Sequence, residues 1–261
     1  PTNVHCGGST VALDSPKLQT ALAEIASGKM QLPDFQREWK WDDQRIRELI
    51  ATVTLDYPLG VVMTLETGGK TPFRARPLTG ADSATSVKPD LLLLDGQQRL
   101  TSLVQALYRA RPVQTVDARG KDLLRWYYLD IKKAIGSPAD RDEAIVSVPP
   151  DKKLKSDFAR KVDLDLSTTE LECQAGHFPL HIVFDAALMN RWQQTFVTMD
   201  PTTNWALWPK LQEILHNIQS FQLPMIKLSA STTKDAVCSV FERVNTNGVP
   251  LNVFELLTAT Y

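Results

Sequence analysis

Four consecutive leucines, Leu91 to Leu94, give way without transition to Asp95-Gly96-Gln97-Gln98-Arg99, and apolar residues then return at Leu100, Leu103, Val104 and Leu107. A short apolar run bounded by a turn signal reads as a buried strand, and Asp-Gly is such a signal. The returning residues stand at i, i+3, i+4 and i+7, the spacing of an amphipathic helix. Four polar residues and a glycine thus fall where a buried strand hands over to a helix. Backbone N–H groups and the positive end of the helix dipole converge at such a junction, which is why α/β proteins place chemistry there.

A chain of 261 residues can bury a sizeable core, as one large domain or two small ones. Its net charge of −1 supplies no global field for nucleic acid, so any DNA binding has to come from a local patch. Cys6, Cys173 and Cys238 are odd in number and far apart, with no Cys-x-x-Cys pair. That argues against a disulfide framework or structural zinc, and for a reducing compartment. No apolar run approaches ~18 residues and no secretory signal is visible, so the expected location is cytoplasmic and away from membranes. Beginning at Pro1 and stopping at Tyr261 inside a helical pattern, the sequence is expected to be a piece of something longer.

Residues 1–13 read as a loose lead-in. Ser15-Pro16 supplies an N-cap and a first-turn proline for a helix with Leu18, Leu22, Ile25 and Ala26 on its apolar face, closed by Gly28. Asp42 or Asp43 caps a second helix, with Ile46, Leu49, Ile50 and Val53 facing inward. Strands are predicted near 61–65, 91–95, 125–131, 144–148 and 223–228, and helices over 184–197, 205–221 and 234–244. Residues 67–90, rich in Gly, Pro, Ser and Thr, read as a loop or frayed hairpin, and 149–170 as a charged, exposed excursion. Asn252 and Glu255 have the spacing of a capping box for a last helix.

Three polar clusters stand out. In the first, Gly96 allows close approach to the backbone, Gln97 and Gln98 present N–H groups to an anion, and Arg99 adds a charge-assisted contact. Asp95 can hold a metal ion or orient a water. A purely structural account has Asp95 as an N-cap and Arg99 paired with a nearby carboxylate, but two glutamines and an arginine in the first turn after so apolar a strand favour the functional reading over it. No P-loop spacing is present. In the second cluster, Gln36 to Trp41, an arginine among aromatics suits phosphates and stacked bases. Trp39 and Trp41 are better explained as core anchors, whereas Gln36 and Arg37 are harder to assign to a core. The third, Arg243, Asn245, Asn247 and Gly248, is what a helix C-terminus needs; read functionally, it lines the rim of the same pocket. His177 and His181 flank Pro179 and share no helical face, so no metal centre is expected from the histidines, and no nucleophile elbow is visible.

Taken in order and approximate spacing, these clusters resemble a known family. Gln36-Arg37 with the tryptophans after it, Asp95-Gly96-Gln97-Gln98-Arg99-Leu100-Thr101-Ser102-Leu103, and Phe241 to Gly248 leading to Leu251 resemble the N-terminal domain of GmrSD-type modification-dependent (type IV) restriction enzymes, over roughly residues 15–261. The Asp-Gly-Gln-Gln-Arg stretch is the most specific part. The resemblance implies a ParB/sulfiredoxin-like fold in a bacterial phage-defence protein, with binding and hydrolysis of a nucleoside triphosphate linked to DNA recognition and control of a nuclease. In such proteins the cutting is often done by a C-terminal HNH-type domain. No His-Asn-His arrangement occurs here, so the nuclease is expected on another part of the protein or on another polypeptide.

The expectation is therefore an α/β (α+β) domain over 15–261: a small mixed sheet holding the strands near 61–65, 91–95, 125–131 and 223–228, surrounded by helices, with additional helices at the C-terminus. Asp95, Gln98 and Arg99 are the expected catalytic residues, Asp95 also as a ligand of Mg2+. Gln36, Arg37, Gly96, Gln97, Thr101, Arg243, Asn245 and Asn247 are expected to hold the nucleotide. The expected partners are modified DNA and an HNH-type nuclease domain or subunit, with homo-oligomerisation open. One alternative is a non-catalytic DNA-binding module whose affinity falls steeply with salt. Another is a ParB-like nuclease, for which Asp95 is the one carboxylate in the best motif, although Glu38 and Glu242 lie near the others.

Overall fold

The computed structural model describes residues 3–6, 9–34, 36, 41–69, 73–81, 87–158, 160–233 and 235–237. Strands β1 (Asn3–Cys6) and β2 (Ser9–Asp14) lead into helix α1 (Leu18–Ala26) and strand β3 (Met30–Pro33). Helix α2 (Asp43–Thr54) precedes β4 (Val62–Glu66), the two-residue β5 (Ala75–Arg76) and β6 (Leu91–Asp95). Helix α3 (Gln97–Leu103) runs on into a π-helical turn, Val104–Tyr108. There follow β7 (Val113–Val116), β8 (Asp122–Asp130), α4 (Ile131–Ile135), β9 (Ile145–Val148), β10 (Lys153–Ser156) and β11 (Lys161–Asp165). The order ends with α5 (Thr169–Ala175), β12 (His177–Pro179), α6 (Ala186–Met199), α7 (Pro201–Ser220) and β13 (Met225–Leu228). Two units emerge, each assembled from separate stretches: 1–39, 60–101 and 222–261 in the first, 40–59 and 102–221 in the second.

The first unit is a seven-stranded mixed sheet in the order β1-β2-β13-β4-β6-β3-β5. β13 runs parallel to β4 and β3 parallel to β6, while the remaining neighbours are antiparallel. The leucine run lies near its middle. Leu92 and Leu94 join Met63, Leu65 and Leu228 in one buried cluster, and Leu93, also buried, alternates to the other face of the strand. Helix α1 buries Leu18, Ala21, Leu22 and Ile25, the face its spacing predicted.

The second unit is organised on β8, which pairs with β7, β9 and β12, all antiparallel. Helix α2 packs its predicted Ile46, Leu49, Ile50 and Val53 inward, and Asp42 caps it by accepting from Arg45 N at 2.9 Å. Asp43 instead accepts from Tyr127 Oη at 2.9 Å and Ser147 Oγ at 2.6 Å. Helices α6 and α7 close around Trp192, which stacks on Phe196 with centroids 4.9 Å apart. No helix among the described residues is long and apolar enough to cross a membrane.

Four expectations change. The strand predicted at 125–131 exists as β8, but it belongs to its own sheet in the second unit, because composition marks a strand without naming its neighbours. The lead-in at 1–13 is strand, β2 finding an antiparallel partner in β13 more than 200 residues later. Ser15-Pro16 does not start the helix: α1 begins at Leu18, and Pro16 O instead accepts from Leu223 N at 2.9 Å, tying the entry to the approach of β13. The charged stretch 149–170 holds the β10–β11 hairpin and the start of α5, its charges being matched in cross-strand and local ion pairs. The helix predicted over 234–244 and the capping box at Asn252 fall largely or wholly outside the described residues.

Candidate functional site

The carboxyl end of β6 departs from regular pairing. Its register against β4 steps from Thr64–Leu93 to Met63–Asp95, so Leu94 is an extra residue on β6. A bulge of this kind drops one residue from the ladder and re-aims the next side chain. Gln36 answers it: its Nε2 donates to the carbonyl of Leu94 at 2.7 Å. Gln36 is held in turn by Arg76, whose Nη2 donates to the Gln36 carbonyl at 2.7 Å.

Gly96 then ends the strand at φ +95°, a conformation that costs glycine little. A Cβ at this position would stand 2.9 Å from Val62 Cγ2. The Gly96 carbonyl accepts from Leu100 N at 2.9 Å, the first helical bond. One turn into α3, Arg99 folds back over the junction. Its Nη2 donates to Asp95 Oδ2 at 3.1 Å and to Val61 O at 3.0 Å. Gly60, at φ +81°, makes room for it, since a Cβ there would come within 2.9 Å of Arg99 Nη1. Arg99 thus ties the approach of β4 to the end of β6. Both ionic side chains remain reachable, Asp95 at 27% and Arg99 at 19% exposure. A single ion pair that stays partly exposed contributes on the order of 1 kcal/mol or less.

Among the other residues predicted for the site, Gln97 is buried and Gln98 half-buried in the first turn of α3. Thr101 is fully buried, and its hydroxyl has no hydrogen-bond partner among the described residues. Arg37, Arg243, Asn245 and Asn247 lie outside the described residues. The structure adds participants that sequence reasoning passed over: Arg76, the Val61 carbonyl and Gly60. In the sequence Gly60 is simply the last residue of Tyr57-Pro58-Leu59-Gly60, a turn signal, and nothing in the loop-like stretch around Arg76 singles it out.

The second unit holds a further group of titratable side chains. Tyr128 Oη donates to Glu172 Oε1 at 3.0 Å, Lys152 Nζ lies 3.6 Å from the same oxygen and 4.9 Å from the centre of the Trp126 ring, and His181 packs on Trp126 at 4.8 Å. Burial raises the Glu172 carboxyl above the usual range and, with the Lys152 charge, pushes His181 down to about 4. Burial also pushes the Cys173 thiol up to about 12, which leaves it unreactive. No group of three His, Cys, Asp or Glu suited to a metal ion occurs among the described residues.

A family model described as GmrSD restriction endonuclease, N-terminal domain, matches residues 18–261. An uncharacterised protein of Methanocaldococcus jannaschii is 26% identical over 258 residues, which is 95% of this chain and 42% of the relative. The chain therefore spans less than half the length of that relative.

Proposed function

We propose a function from one premise: this chain belongs to the family of GmrSD restriction endonuclease N-terminal domains. Its Asp95–Arg99 junction binds the phosphates of a nucleoside triphosphate and hydrolyses it. This makes the restriction of modified DNA, by an HNH-type nuclease elsewhere in the protein or on a partner, depend on the nucleotide. The observation that carries this reading is the meeting, within one unit, of a positive-φ glycine, a reachable carboxylate and a reachable arginine at the carboxyl end of a buried strand. Open α/β sheets bind ligands outside the carboxyl ends of their strands. Gly96 adds no side chain of its own, and the space a Cβ would fill there is bordered by Val62 Cγ2 at 2.9 Å and Arg99 Nη2 at 3.5 Å, which puts the guanidinium beside the glycine backbone. Arg99 is already oriented by Val61 O and Asp95, which lowers the ordering cost of binding.

The donor set fits Mg2+ as a companion of the nucleotide rather than as a caged ion. Asp95 is the carboxylate of the motif, and Mg2+ is commonly held by one or two carboxylates with substrate phosphates and water. When bound, the ion would neutralise phosphate charge. Asp95 would exchange its pairing with Arg99 for that ligand role, turning the guanidinium toward the phosphates. During transfer Arg99 would stabilise the developing charge, and Gln98 would orient the attacking water.

Thermal unfolding with ATP, GTP, CTP or UTP, each with and without magnesium, tests the assignment. A nucleotide at about a hundred times its Kd adds about 2.7 kcal/mol, a rise of several degrees in Tm. The shift is expected for at least one triphosphate with magnesium and is expected to vanish in Arg99→Ala. In Asp95→Asn it should persist but lose its magnesium dependence. Arg99→Ala also loses the tie to Val61, so each shift is read against the variant's own baseline. No shift with any triphosphate, or an undiminished shift in Arg99→Ala, overturns the reading. Steep, salt-dependent DNA binding through the same groups would then mark a DNA-binding module without catalysis.

A further inference from the structure

β10 and β11 form a two-stranded sheet of their own. The base of this ribbon is anchored. Leu154 and Leu164 pack on the buried cluster of Tyr128, Val148 and Leu166, and Leu166 N donates to Lys152 O at 2.8 Å. Lys153 pairs with Asp165 at 2.8 Å and Lys155 with Asp151 at 2.6 Å, which uses up charge at that end. The register against β10 skips Asp163, so a bulge sharpens the twist beyond this point.

The tip has the opposite character. Asp157 and Phe158 sit at φ 49° and 50°, where a bulky residue is an outlier and glycine or asparagine would be the economical choice. Phe158 is 96% exposed, and Val162, four residues on, is exposed as well. An isolated two-stranded hairpin is marginal in water, and a phenylalanine held in solvent at positive φ does nothing for its stability. Such breaks with local preference concentrate at functional sites. With Lys155 paired to Asp151, the turn from Asp157 to Lys161 carries Arg160 and Lys161 against Asp157. Lys161 does approach Asp163 at 3.4 Å, but with 74% and 40% exposure that pair is solvent-screened and easily exchanged.

We propose that this hairpin is a DNA-contacting finger, in which Arg160 and Lys161 take backbone phosphates and Phe158 stacks on, or wedges between, bases. A two-stranded ribbon fits the major groove of B-DNA, which is about 12 Å wide. Apolar wedges that unstack a base step are a recurrent device of DNA-binding proteins, and ring-on-base stacking tolerates any sequence. A protein partner is the less suitable occupant: lysine is depleted in protein interfaces, and one ring among basic residues is not an apolar patch. The inference rests on the DNA association proposed above and is independent of the nucleotide junction.

The test uses the whole chain and a short fluorescein-labelled duplex, with a second duplex carrying 2-aminopurine. Arg160→Ala/Lys161→Ala should weaken duplex binding at least about tenfold at low salt. It should also flatten log K against log[salt] by about 1.8, the value for two phosphates. Wild type should change the 2-aminopurine signal, Phe158→Ala should abolish that change without altering the salt slope, and Phe158→Trp should restore it. Because Phe158 is exposed, an unaltered Tm in these variants confirms their folding. The proposal is overturned if the wild type does not bind duplex at low salt, or if the variants bind and report as the wild type does. It is equally overturned if Phe158→Ala abolishes self-association in sedimentation while duplex binding is intact, which would mark a protein contact. A nucleotide-induced Tm shift that survives in the hairpin variants shows that failure here leaves the Asp95–Arg99 assignment standing.

Discussion

His181 shows how one residue's surroundings write themselves into stability. Its ring lies on Trp126, its Nδ1 has no hydrogen-bond partner among the described residues, and burial followed by the Lys152 charge keeps it neutral down to about pH 4. In an unfolded chain histidine protonates near pH 6.5. Between those values the unfolded state binds a proton that the folded state does not, so stability falls as pH is lowered from 6.5 toward about 4. The full effect is on the order of 3 kcal/mol. Glu172 works the other way, since its raised folded pKa means protonation on acidification favours the fold and offsets part of the loss. Replacing His181 by Phe should flatten the decline of the urea midpoint across this window, and an unchanged slope would show that His181 is not its source. Asp95 and Arg99 make the companion case. Their i, i+4 spacing was plain in the sequence, and the structural account of Arg99 as partner of a nearby carboxylate describes the pair as found. The sequence could not reveal that Arg99 also reaches back to Val61 O, 38 residues earlier in the chain.

At the scale of elements, the bulge in β6 separates two roles for Gln36. If the amide serves the fold, Gln36→Ala strands the Leu94 carbonyl and should lower stability by about 1–3 kcal/mol, read from denaturant midpoints without any ligand present. Stability unchanged in that variant, together with a lost nucleotide shift, would assign Gln36 to the ligand instead. Legibility follows the same division. β6, α1 and α2 were readable because their burial patterns are local and periodic. Pairing is long-range, so β8 was recognised as a strand but given the wrong sheet, and β2 was missed because its partner β13 arrives after residue 220. The bulge was invisible: five apolar or polar letters look the same whether the ladder is regular or skips Leu94. The β10–β11 hairpin was hidden by its charges, which suggest a solvated loop until Lys153–Asp165 and Lys155–Asp151 are seen to match.

For the whole molecule, the family match over 18–261 takes in the segments of both units, while the two proposed activities fall in different ones. The nucleotide junction uses Gln36, 60–62 and 94–99 of the first unit, and the hairpin uses 151–165 of the second. Hydrogen exchange can therefore locate both on one preparation. Exposed loops and strand ends exchange through local opening, and a ligand slows exchange where it suppresses that opening. A triphosphate with magnesium should protect peptides covering 60–66 and 91–101 and leave 151–165 unchanged, because Gly60, Val61, Asp95 and Arg99 are already linked and need only be locked. Duplex DNA without nucleotide should protect 151–165, most strongly around Phe158. Nucleotide protection centred instead on α5 to α7 would move the site to the cavity of about 310 Å³ lined by Cys173, Asp200 and Asn204, and would retire the Asp95–Arg99 assignment. DNA protection confined to the first unit would remove the hairpin from the interface, whatever the duplex affinity proved to be.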